Sequence, residues 1–345
     1  MNDNDSQCAG SADRSADNSG SGGNSMPEVS VIIPLYNKGL YINRALTSIL
    51  DQTIRDFEVI VVDDGSTDNG AETVRKINDP RIRLVRQKNQ GVSAARNRGV
   101  SESSADFVAF LDADDEWMPS HLETMIRLRA KYPEAGMYAT EYKICMPDGK
   151  LRWPDFKDIP AAPWEGRLSN YFRISALGEN PVTSSSVGIP KRIFLEAGRF
   201  STGYWYGEDD DLWGRIALKY PVAFSRQPGA INHREAVNRA CSKTPPLYTE
   251  EPFVKTARSA ISRQEIAPEL IGSLSEYIYK KEIHRALNSI LAGDRKNAKL
   301  ILKRCKTKWL YRRKVKLYIL ATLPHDAYLL LLNSKENIDK RLSRM

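Results

Sequence analysis

The stretch DFVAFLDADD, residues 106–115, places three carboxylates directly after an apolar run. The apolar run has the composition of a buried strand, and Asp112, Asp114 and Asp115 follow it. Like charges at the end of a strand are costly unless a cation compensates them, whereas many short acidic turns are simply solvated. This stretch alone therefore indicates either a cation site or a solvated turn, and other parts of the sequence are needed to distinguish the two.

Around this stretch, short apolar runs alternate with segments of helical periodicity. The predicted strands are 29–34, 57–64, 81–87 and 106–114, and the predicted helices between them are 40–52, 71–77 and 91–100. This alternation is typical of an α/β fold, a Rossmann-like mostly parallel sheet with helices on both faces. A helix at 121–133 and a strand at 135–144 follow, then a loop-rich region at 145–180 and further ordered segments at 182–200 and 207–220.

Polar segments follow three of the predicted strands. PLYN (34–37) follows the first strand, DDGSTD (63–68) the second and DADD (112–115) the fourth. Ligands of parallel α/β sheets bind beyond the carboxyl ends of the strands. We therefore expect these segments to meet at one edge of the sheet and to form the binding site there.

The composition is that of a globular protein, with 345 residues, 41% hydrophobic and 27% charged. The net charge of +8 is uneven, because residues 251–345 hold 21 Lys/Arg and 9 Asp/Glu. The four cysteines, at positions 8, 145, 241 and 305, show no CxxC or CxxH spacing, so their pattern indicates neither a zinc site nor a disulfide framework. We expect a reducing compartment and no spanning helix, since no apolar run reaches ~18 residues.

The N-terminal segment, residues 1–26, is rich in Ser, Gly, Asn and Asp and lacks the apolar region of a signal peptide. It is predicted to be disordered. Met26 directly precedes PEVSVIIPLYN and is an alternative start of translation to Met1.

Four motifs, PLYN, VVDDGSTD, FLDADD and GYWYGEDDDLW, resemble in order and spacing those of the family 2 glycosyltransferases, which have the GT-A fold. The resemblance covers roughly residues 28–240. It implies a catalytic domain over 27–245, with a nucleotide-sugar half at 27–118 and an acceptor half at 119–245. Residues 246–345 would form a helical basic C-terminal region.

The resemblance also assigns roles on the donor side. Pro34 and Tyr36 would pack on the base and ribose, Asp64 would accept from a uracil-type ring nitrogen, and Arg96 would lie near the nucleotide. The remaining nucleotide-pocket positions are Asn37, Ser66, Asp112 and Ala113.

For the metal, the resemblance implies Mn²⁺ or Mg²⁺ bound by the acids of the DAD motif. Asp112 would contact the ribose or the metal, and Asp114 the metal that bridges the two phosphates. His233, 24 residues after Asp209, would complete the metal shell, although a lone histidine is also often a packing or capping residue. A cation there would stabilise the negative charge of a departing diphosphate.

On the acceptor side, the resemblance makes Asp209 the catalytic base of an inverting displacement, with Glu208 orienting the acceptor. Asp210 and Asp211 leave the choice of base open, and an acidic first turn is also favoured by the helix dipole alone. The serines at 184–186 are interpreted either as part of the acceptor pocket or as a polar turn before a strand.

Residues 295–316 contain 11 Lys/Arg and no acid, and an apolar segment broken by Pro324 follows them. Such a pattern fits a helix at an anionic membrane surface or a helical subdomain packed on the catalytic domain. Contact with nucleic acid is not expected, because no recognised nucleic-acid module accompanies the charge.

The sequence thus predicts a metal-dependent glycosyltransferase that uses a nucleotide diphosphate sugar, with UDP as the nucleotide, and a glycan or lipid-linked acceptor. The expected location is cytoplasmic, with peripheral attachment to the inner face of the membrane as an option. The alternative is a non-catalytic nucleotide-sugar-binding scaffold subunit of a glycan synthesis complex. A nucleotidyltransferase would need a Gly-rich basic loop after the first strand, where this chain has only Lys38 and Gly39.

Overall fold

The computed structural model describes residues 26–237, 239 and 250–323. The predicted N-terminal disordered segment therefore lies, except for Met26, outside the described residues. The strands in the described part are β1 (Val29–Leu35), β2 (Phe57–Asp63), β3 (Ile82–Arg86), β4 (Phe107–Phe110), β5 (Glu116–Trp117), β6 (Met137–Cys145), β7 (Leu151–Arg152), β8 (Glu165–Arg167), β9 (Val187–Pro190) and β10 (Val222–His233).

Helices surround these strands. The α-helices in the described part are α1 (Ile42–Leu50), α2 (Gly70–Arg75), α3 (Val92–Glu102), α4 (His121–Lys131), α5 (Tyr171–Leu177), α6 (Lys191–Glu196), α7 (Glu208–Ala217), α8 (Pro252–Ser262), α9 (Pro268–Leu291), α10 (Arg295–Arg304) and α11 (Tyr311–Thr322). No helix in the described ranges is long and apolar enough to cross a membrane.

The strands join into one sheet, in the order β3-β2-β1-β4-β9-β6-β10-β5, with β7 paired to β6 and β8 to β10. The first four strands along the chain pair only in parallel with one another. β9 runs antiparallel between β4 and β6, and β6 pairs in parallel with β10. The predicted α/β class with a mostly parallel central sheet is confirmed.

Residues on the two faces of β1 enter different hydrophobic clusters. Val31 and Ile33 pack with α1 and α4, whereas Ile32 packs with the cluster that contains α3 and α7. Successive side chains of a strand point to opposite faces, so a strand covered on both sides needs apolar residues at every position. This explains why the first strand is a continuous apolar run rather than an alternating one.

Two sequence predictions of local structure differ from the fold. The strand predicted over 106–114 ends at Phe110, because the chain turns through the carboxylates, where the Asp115 amide donates to the Asp112 carbonyl at 3.0 Å. The region predicted as loop-rich at 145–180 also contains β7, β8 and α5.

The C-terminal helices pack on helices α5 and α7 as well as on one another. Gly214 of α7 lies so close to α8 that an added Cβ would be 2.0 Å from the ring of Phe253. α8 and the first half of α9 share a cluster with α7, and the helices from Ile283 to Ala321 form a third cluster. The basic helices α10 and α11 thus pack on α9, and α8 and α9 connect them to the rest of the fold. The domain boundary placed at 245/246 falls outside the described residues and stays a prediction.

Candidate active site

The strand register brings the three polar segments to one edge of the sheet. Leu35 of β1 pairs with Asp63 of β2, and the Asp64 amide donates to the Leu35 carbonyl at 2.8 Å. On the other side of β1, Ile32 pairs with Phe110, the last residue of β4. The segments that follow β1, β2 and β4 are therefore neighbours, as the sequence predicted.

Asn37 ties the first segment to the second. Its backbone is left-handed (φ 51°), its amide donates to Ser66 Oγ at 3.1 Å, and its Oδ1 accepts from the Thr67 amide at 2.8 Å. Tyr36 is exposed beside this link and Pro34 is half-buried. The ring of Tyr36 is thus free to contact a planar ligand, while Asn37 and Ser66 fix the loop beneath it.

Asp64 is buried and is held by three hydrogen bonds from the segment before α3. Its Oδ1 accepts from Gln87 Nε2 at 2.7 Å and the Gln90 amide at 2.9 Å, and its Oδ2 accepts from the Gly91 amide at 2.8 Å. A carboxylate has about four acceptor positions. The side chain therefore shapes this loop and keeps one position for a ligand.

Arg96 joins the donor-side and acceptor-side motifs. Its buried guanidinium lies 2.8 Å from Asp112 Oδ1 through Nη2 and 3.0 Å from Glu208 Oε1 through Nη1. Burial alone would lower the pKa of Arg96, but the charges of Asp112, Glu208 and Asp209 outweigh it and raise that pKa. The sequence placed Arg96 near the nucleotide; the structure adds its contact with Glu208, more than a hundred residues away.

The chain supplies its own cations to Asp114. Lys38 Nζ lies 2.7 Å from Asp114 Oδ2, and Arg44 Nη2 donates to the Asp114 carbonyl at 2.5 Å. Ala113, between the two acids, is buried. The sequence motifs give no site role to Lys38 or Arg44, although Lys38 directly follows PLYN after the first strand.

Asp115 forms hydrogen bonds that hold the carboxylate turn in place. It accepts from Ser185 Oγ at 2.6 Å, Asn232 Nδ2 at 2.7 Å and the His233 amide at 2.8 Å. Burial and the charges of Asp114 and Asp112 raise its pKa to about 7. Asp115 thereby connects the carboxylate turn to β10.

The motif GEDDD begins helix α7. Gly207 precedes the helix in a left-handed conformation (φ 74°), which an L side chain rarely adopts, and the four acids fill the first turn. Acidic residues are stabilised there by the helix dipole. The expected acidic helix start is confirmed, and the contacts of the four acids differ.

Two of these acids have structural partners. Asp211 accepts from Ser201, Thr256 and Arg215. Asp210 accepts from Asn180 Nδ2 at 2.6 Å and forms an ion pair with Lys281 of α9. Both carboxylates are therefore engaged.

Asp209 forms no ion pair with the residues that the structure describes. It is half-buried, and its Oδ1 accepts from the Asp210 amide at 2.8 Å. Burial and the charges of Glu208 and Asp210 raise its pKa to about 7. A carboxylate in this state is suited to accept a proton near neutral pH.

His233 lies beside the carboxylate turn, with both ring nitrogens facing other acids. Nδ1 is 2.5 Å from Glu235 Oε1 and Nε2 is 3.0 Å from Glu116 Oε1. As a third ligand beside Asp112 and Asp114 it remains a prediction, and it would have to leave Glu116 or Glu235 to fill that role.

The serines at 184–186 form a short 3₁₀ helix that leads into β9. Ser185 Oγ accepts from the Asp112 amide at 3.2 Å and donates to Asp115, and Ser186 closes a capping box with Thr183. The polar-turn interpretation describes their geometry. The hydroxyl of Ser184 is buried without a hydrogen-bond partner in the described part of the chain.

The comparison with solved structures defines the class. Residues 1–349 of Staphylococcus aureus TarS, solved in complex with UDP-GlcNAc, superpose with a TM-score of 0.65 at 16% identity. The match covers 85% of this chain and 90% of that one. The fold is therefore GT-A, the architecture of nucleotide-sugar glycosyltransferases.

A family model matches the first part of the chain. Residues 30–187 match the model described as glycosyl transferase family 2, the family that the motifs resemble. This match and the names of the relatives support the predicted enzyme class, a glycosyltransferase.

Two curated relatives are similar over parts of their length. An Escherichia coli protein named uncharacterized glycosyltransferase YibD is 44% identical over 107 residues, 30% of this chain and 31% of the relative. The hyaluronan synthase of Pasteurella multocida is 36% identical over 140 residues, 39% of this chain and 14% of the relative. The chain thus matches a third or less of the length of these two proteins.

Proposed function

We propose that this protein is a metal-dependent inverting glycosyltransferase that moves a sugar from a UDP-sugar to a glycan or lipid-linked acceptor. The observation that carries the proposal is the contact of Arg96 with both Asp112 and Glu208. Through this contact, Asp112 of the donor motif and Glu208 of the acceptor motif bind the same guanidinium. The UDP-GlcNAc bound to the similar TarS fold and the similarity to a hyaluronan synthase support the donor and the glycan product.

The residues at the strand end fit a hard divalent cation. Asp112 and Asp114 offer carboxylate oxygens, the ligands that Mg²⁺ and Mn²⁺ prefer. The ammonium of Lys38 on Asp114 indicates that this position favours positive charge. Asp112 and Asp114 would hold the cation, which when bound would offset the charge of the diphosphate leaving group. His233 is retained as a proposed third ligand.

The chain's own residues perform the proton transfer in this proposal. The Asp209 carboxylate accepts the proton of the incoming acceptor hydroxyl as its oxygen attacks the anomeric carbon. The bond between that carbon and the diphosphate oxygen breaks, and UDP departs with the bonding electrons. Glu208, held by Arg96 at 3.0 Å, orients the acceptor beside Asp209.

The basic C-terminal region suggests where in the cell the protein binds its acceptor. Helices α10 and α11 bury Ala298, Ile301 and Leu317, while several of their lysines and arginines are exposed. Each basic residue near an anionic bilayer contributes about 1 kcal/mol. We place the protein in the cytoplasm, peripherally at the inner face of the membrane, where a lipid-linked acceptor would be presented.

The test is incubation of the purified protein with a panel of UDP-sugars, Mn²⁺ and glycan or lipid-linked acceptors, with NMR of the product linkage. The proposal predicts transfer from at least one donor with inversion at the anomeric carbon. Transfer with retention would contradict the assignment of Asp209. Tight UDP binding without transfer from any donor would favour the non-catalytic scaffold.

A further inference from the structure

Two helices of the C-terminal region bring three nitrogen-bearing side chains together. Lys280 and His284 are four residues apart on α9 and therefore share one face of that helix. Arg313 lies on α11, one turn before the buried Leu317, which belongs to the same hydrophobic cluster as Ile283 of α9. The charges of Lys280 and Arg313 both act on the ring of His284. These three residues form what we call the cationic cluster.

The guanidinium of Arg313 has no acid to compensate it. The side chain is half-buried, and its Nε atom is buried without a hydrogen-bond partner among the residues that the structure describes. Burial lowers the pKa of Arg313, and no carboxylate in the described ranges raises it again. Arg96, by contrast, is buried between two carboxylates. Since a desolvated cation without a partner is costly, an anion beside Arg313 would be stabilising.

His284 opens the cationic cluster to solvent. The residue is exposed, and its ring forms no hydrogen bond within the described part of the chain. Nearby atoms still desolvate the ring in part, and this burial, with the charges of Lys281, Arg313 and Lys280, lowers the pKa of His284 to about 4. The imidazole is therefore neutral at pH 7 and has one N–H to donate.

Lys280 is fixed at the end of helix α5. Its Nζ donates to the backbone carbonyls of Ser175 and Gly178. Burial and then the charge of Lys281 lower the pKa of Lys280 to about 8, so the ammonium is still mostly protonated at pH 7. An ammonium has three N–H donors. One donor of Lys280 is therefore left for a ligand.

Two carboxylates act on the ammonium of the cationic cluster, and both have cations of their own. Asp210 pairs with Lys281, and Glu179 pairs with Arg152 at 2.7 Å. Neither of them raises the pKa of Arg313. The described part of the fold therefore leaves the positive charge of the cluster without an equal negative charge.

The chemistry of the three side chains favours a phosphate. Guanidinium and ammonium groups are the usual protein partners of phosphate oxygens, and a phosphate offers enough acceptor oxygens and charge for several donors at once. We propose that Lys280, His284 and Arg313 bind a phosphate or diphosphate group. That group would accept hydrogen bonds from all three side chains and would supply the negative charge that the cluster lacks.

The position of the cationic cluster relates it to the acceptor. Lys281, which follows Lys280 on α9, pairs with Asp210, the neighbour of the proposed base Asp209. The cluster therefore lies on the acceptor side of the proposed active site. A lipid-linked acceptor carries phosphate between its lipid and its sugar, and free diphosphate is the other source of the same group. The choice of the acceptor as source rests on the proposed function, whereas the anion site itself does not.

Calorimetric titration of inorganic pyrophosphate into the full chain tests the site, with EDTA present to exclude metal-dependent binding. Arg313→Met should weaken pyrophosphate affinity about 10–100-fold, because a hydrogen bond from a charged donor is lost. Arg312→Met, at the exposed neighbouring position, is the matched control and should bind as the parent does. Asp114→Ala should also keep this affinity, so failure of the donor site and failure of the anion site are distinguishable.

Two further measurements keep this test decisive. Thermal unfolding without pyrophosphate should show no loss of stability in Arg313→Met, because its charge has no partner there. His284→Ala, at an exposed position, should also weaken pyrophosphate binding. Absence of pyrophosphate binding in the parent, or equal affinity in the parent and Arg313→Met, would overturn the proposal.

Vesicles distinguish the two sources of the group. Phosphatidylcholine vesicles that carry a polyprenyl diphosphate are sedimented with the parent and with Arg313→Met. Binding that is lost in Arg313→Met would assign the site to a lipid-linked diphosphate. Equal sedimentation of the two proteins, together with pyrophosphate binding that requires Arg313, would assign it to free diphosphate and overturn the link to the acceptor.

Discussion

Lys38 Nζ lies 2.7 Å from Asp114 Oδ2, and both side chains are largely buried. The chain therefore places its own cation on the carboxylate that we propose for the donor metal. A divalent ion that binds Asp114 must compete with this ammonium. Substitution of Lys38 can therefore test the metal affinity of Asp114 separately from the binding of the donor.

Replacing Lys38 with Met should increase the affinity of the nucleotide-free protein for Mn²⁺ several-fold. The substitution removes the competing cation and leaves Asp114 uncompensated. Electron paramagnetic resonance of free Mn²⁺ measures this directly. Lys76→Met, which removes a highly exposed lysine, is the control and should change nothing. Weaker Mn²⁺ binding in Lys38→Met would show that Asp114 does not bind the metal.

Asp209→Asn should lower kcat about 10²–10⁴-fold with little effect on UDP binding, because the amide cannot accept the acceptor's proton. Asp210→Asn is the matched control, since Asp210 is paired with Lys281 and accepts no proton in the proposed chemistry. Both variants are compared at a pH well above 7, where Asp209 is ionised with or without the charge of Asp210, and there kcat of Asp210→Asn should stay near that of the parent. Comparable kcat values for Asp209→Asn and the parent would exclude Asp209 as the base.

The rate should rise with pH through about 7, because the base must be ionised and the pKa of Asp209 is raised to about 7. Lys281 is a positioning residue for this titration. Lys281→Met removes the cation that faces Asp210, whose charge then raises the pKa of Asp209 further. The rising limb of the pH–kcat profile should move to higher pH, and Lys281→Arg should restore it.

A purely structural role of Lys281 would lower the rate equally at every pH. A profile that keeps its midpoint in Lys281→Met would therefore contradict the electrostatic account. Because Lys281 is buried between Asp210 and Glu251, thermal unfolding should accompany the kinetics.

Arg96→Met should destabilise the protein by about 3–5 kcal/mol, because it leaves the buried carboxylate of Glu208 without its cation. The matched control is Arg98→Met on the same helix, where the exposed pair with Glu102 contributes about 0–1 kcal/mol. Urea unfolding of both variants checks the difference. Equal stabilities of the two variants would show that the bridge between the motifs is weak.

The sequence predicted those features that follow from local pattern. The apolar runs and the turns after them placed PLYN, DDGS and DADD at one sheet edge, since parallel strands end on the same side. The strand end at Phe110 was misplaced because the pattern does not show where the chain turns. Asp209 was named through resemblance, but its neighbours could not be distinguished without their partners.

The residues whose roles the sequence did not reveal all contact residues that are far away in the sequence. Lys281 meets Asp210 only because α9 packs beside α7, and nothing in the local sequence of α9 marks a buried lysine. Lys38 meets Asp114 only because β1 and β4 are neighbouring strands. Such contacts require the three-dimensional pairing of elements, which periodicity does not encode.

The proposed donor site depends on the carboxylates at the end of β4, which would hold a metal that binds a nucleotide diphosphate. Calorimetric titration of UDP into the protein, with Mn²⁺ and then with chelator, tests it on the parent and on Asp114→Ala. We expect UDP binding to require both Mn²⁺ and Asp114. UDP binding of equal strength with chelator, or in Asp114→Ala with Mn²⁺, would contradict it.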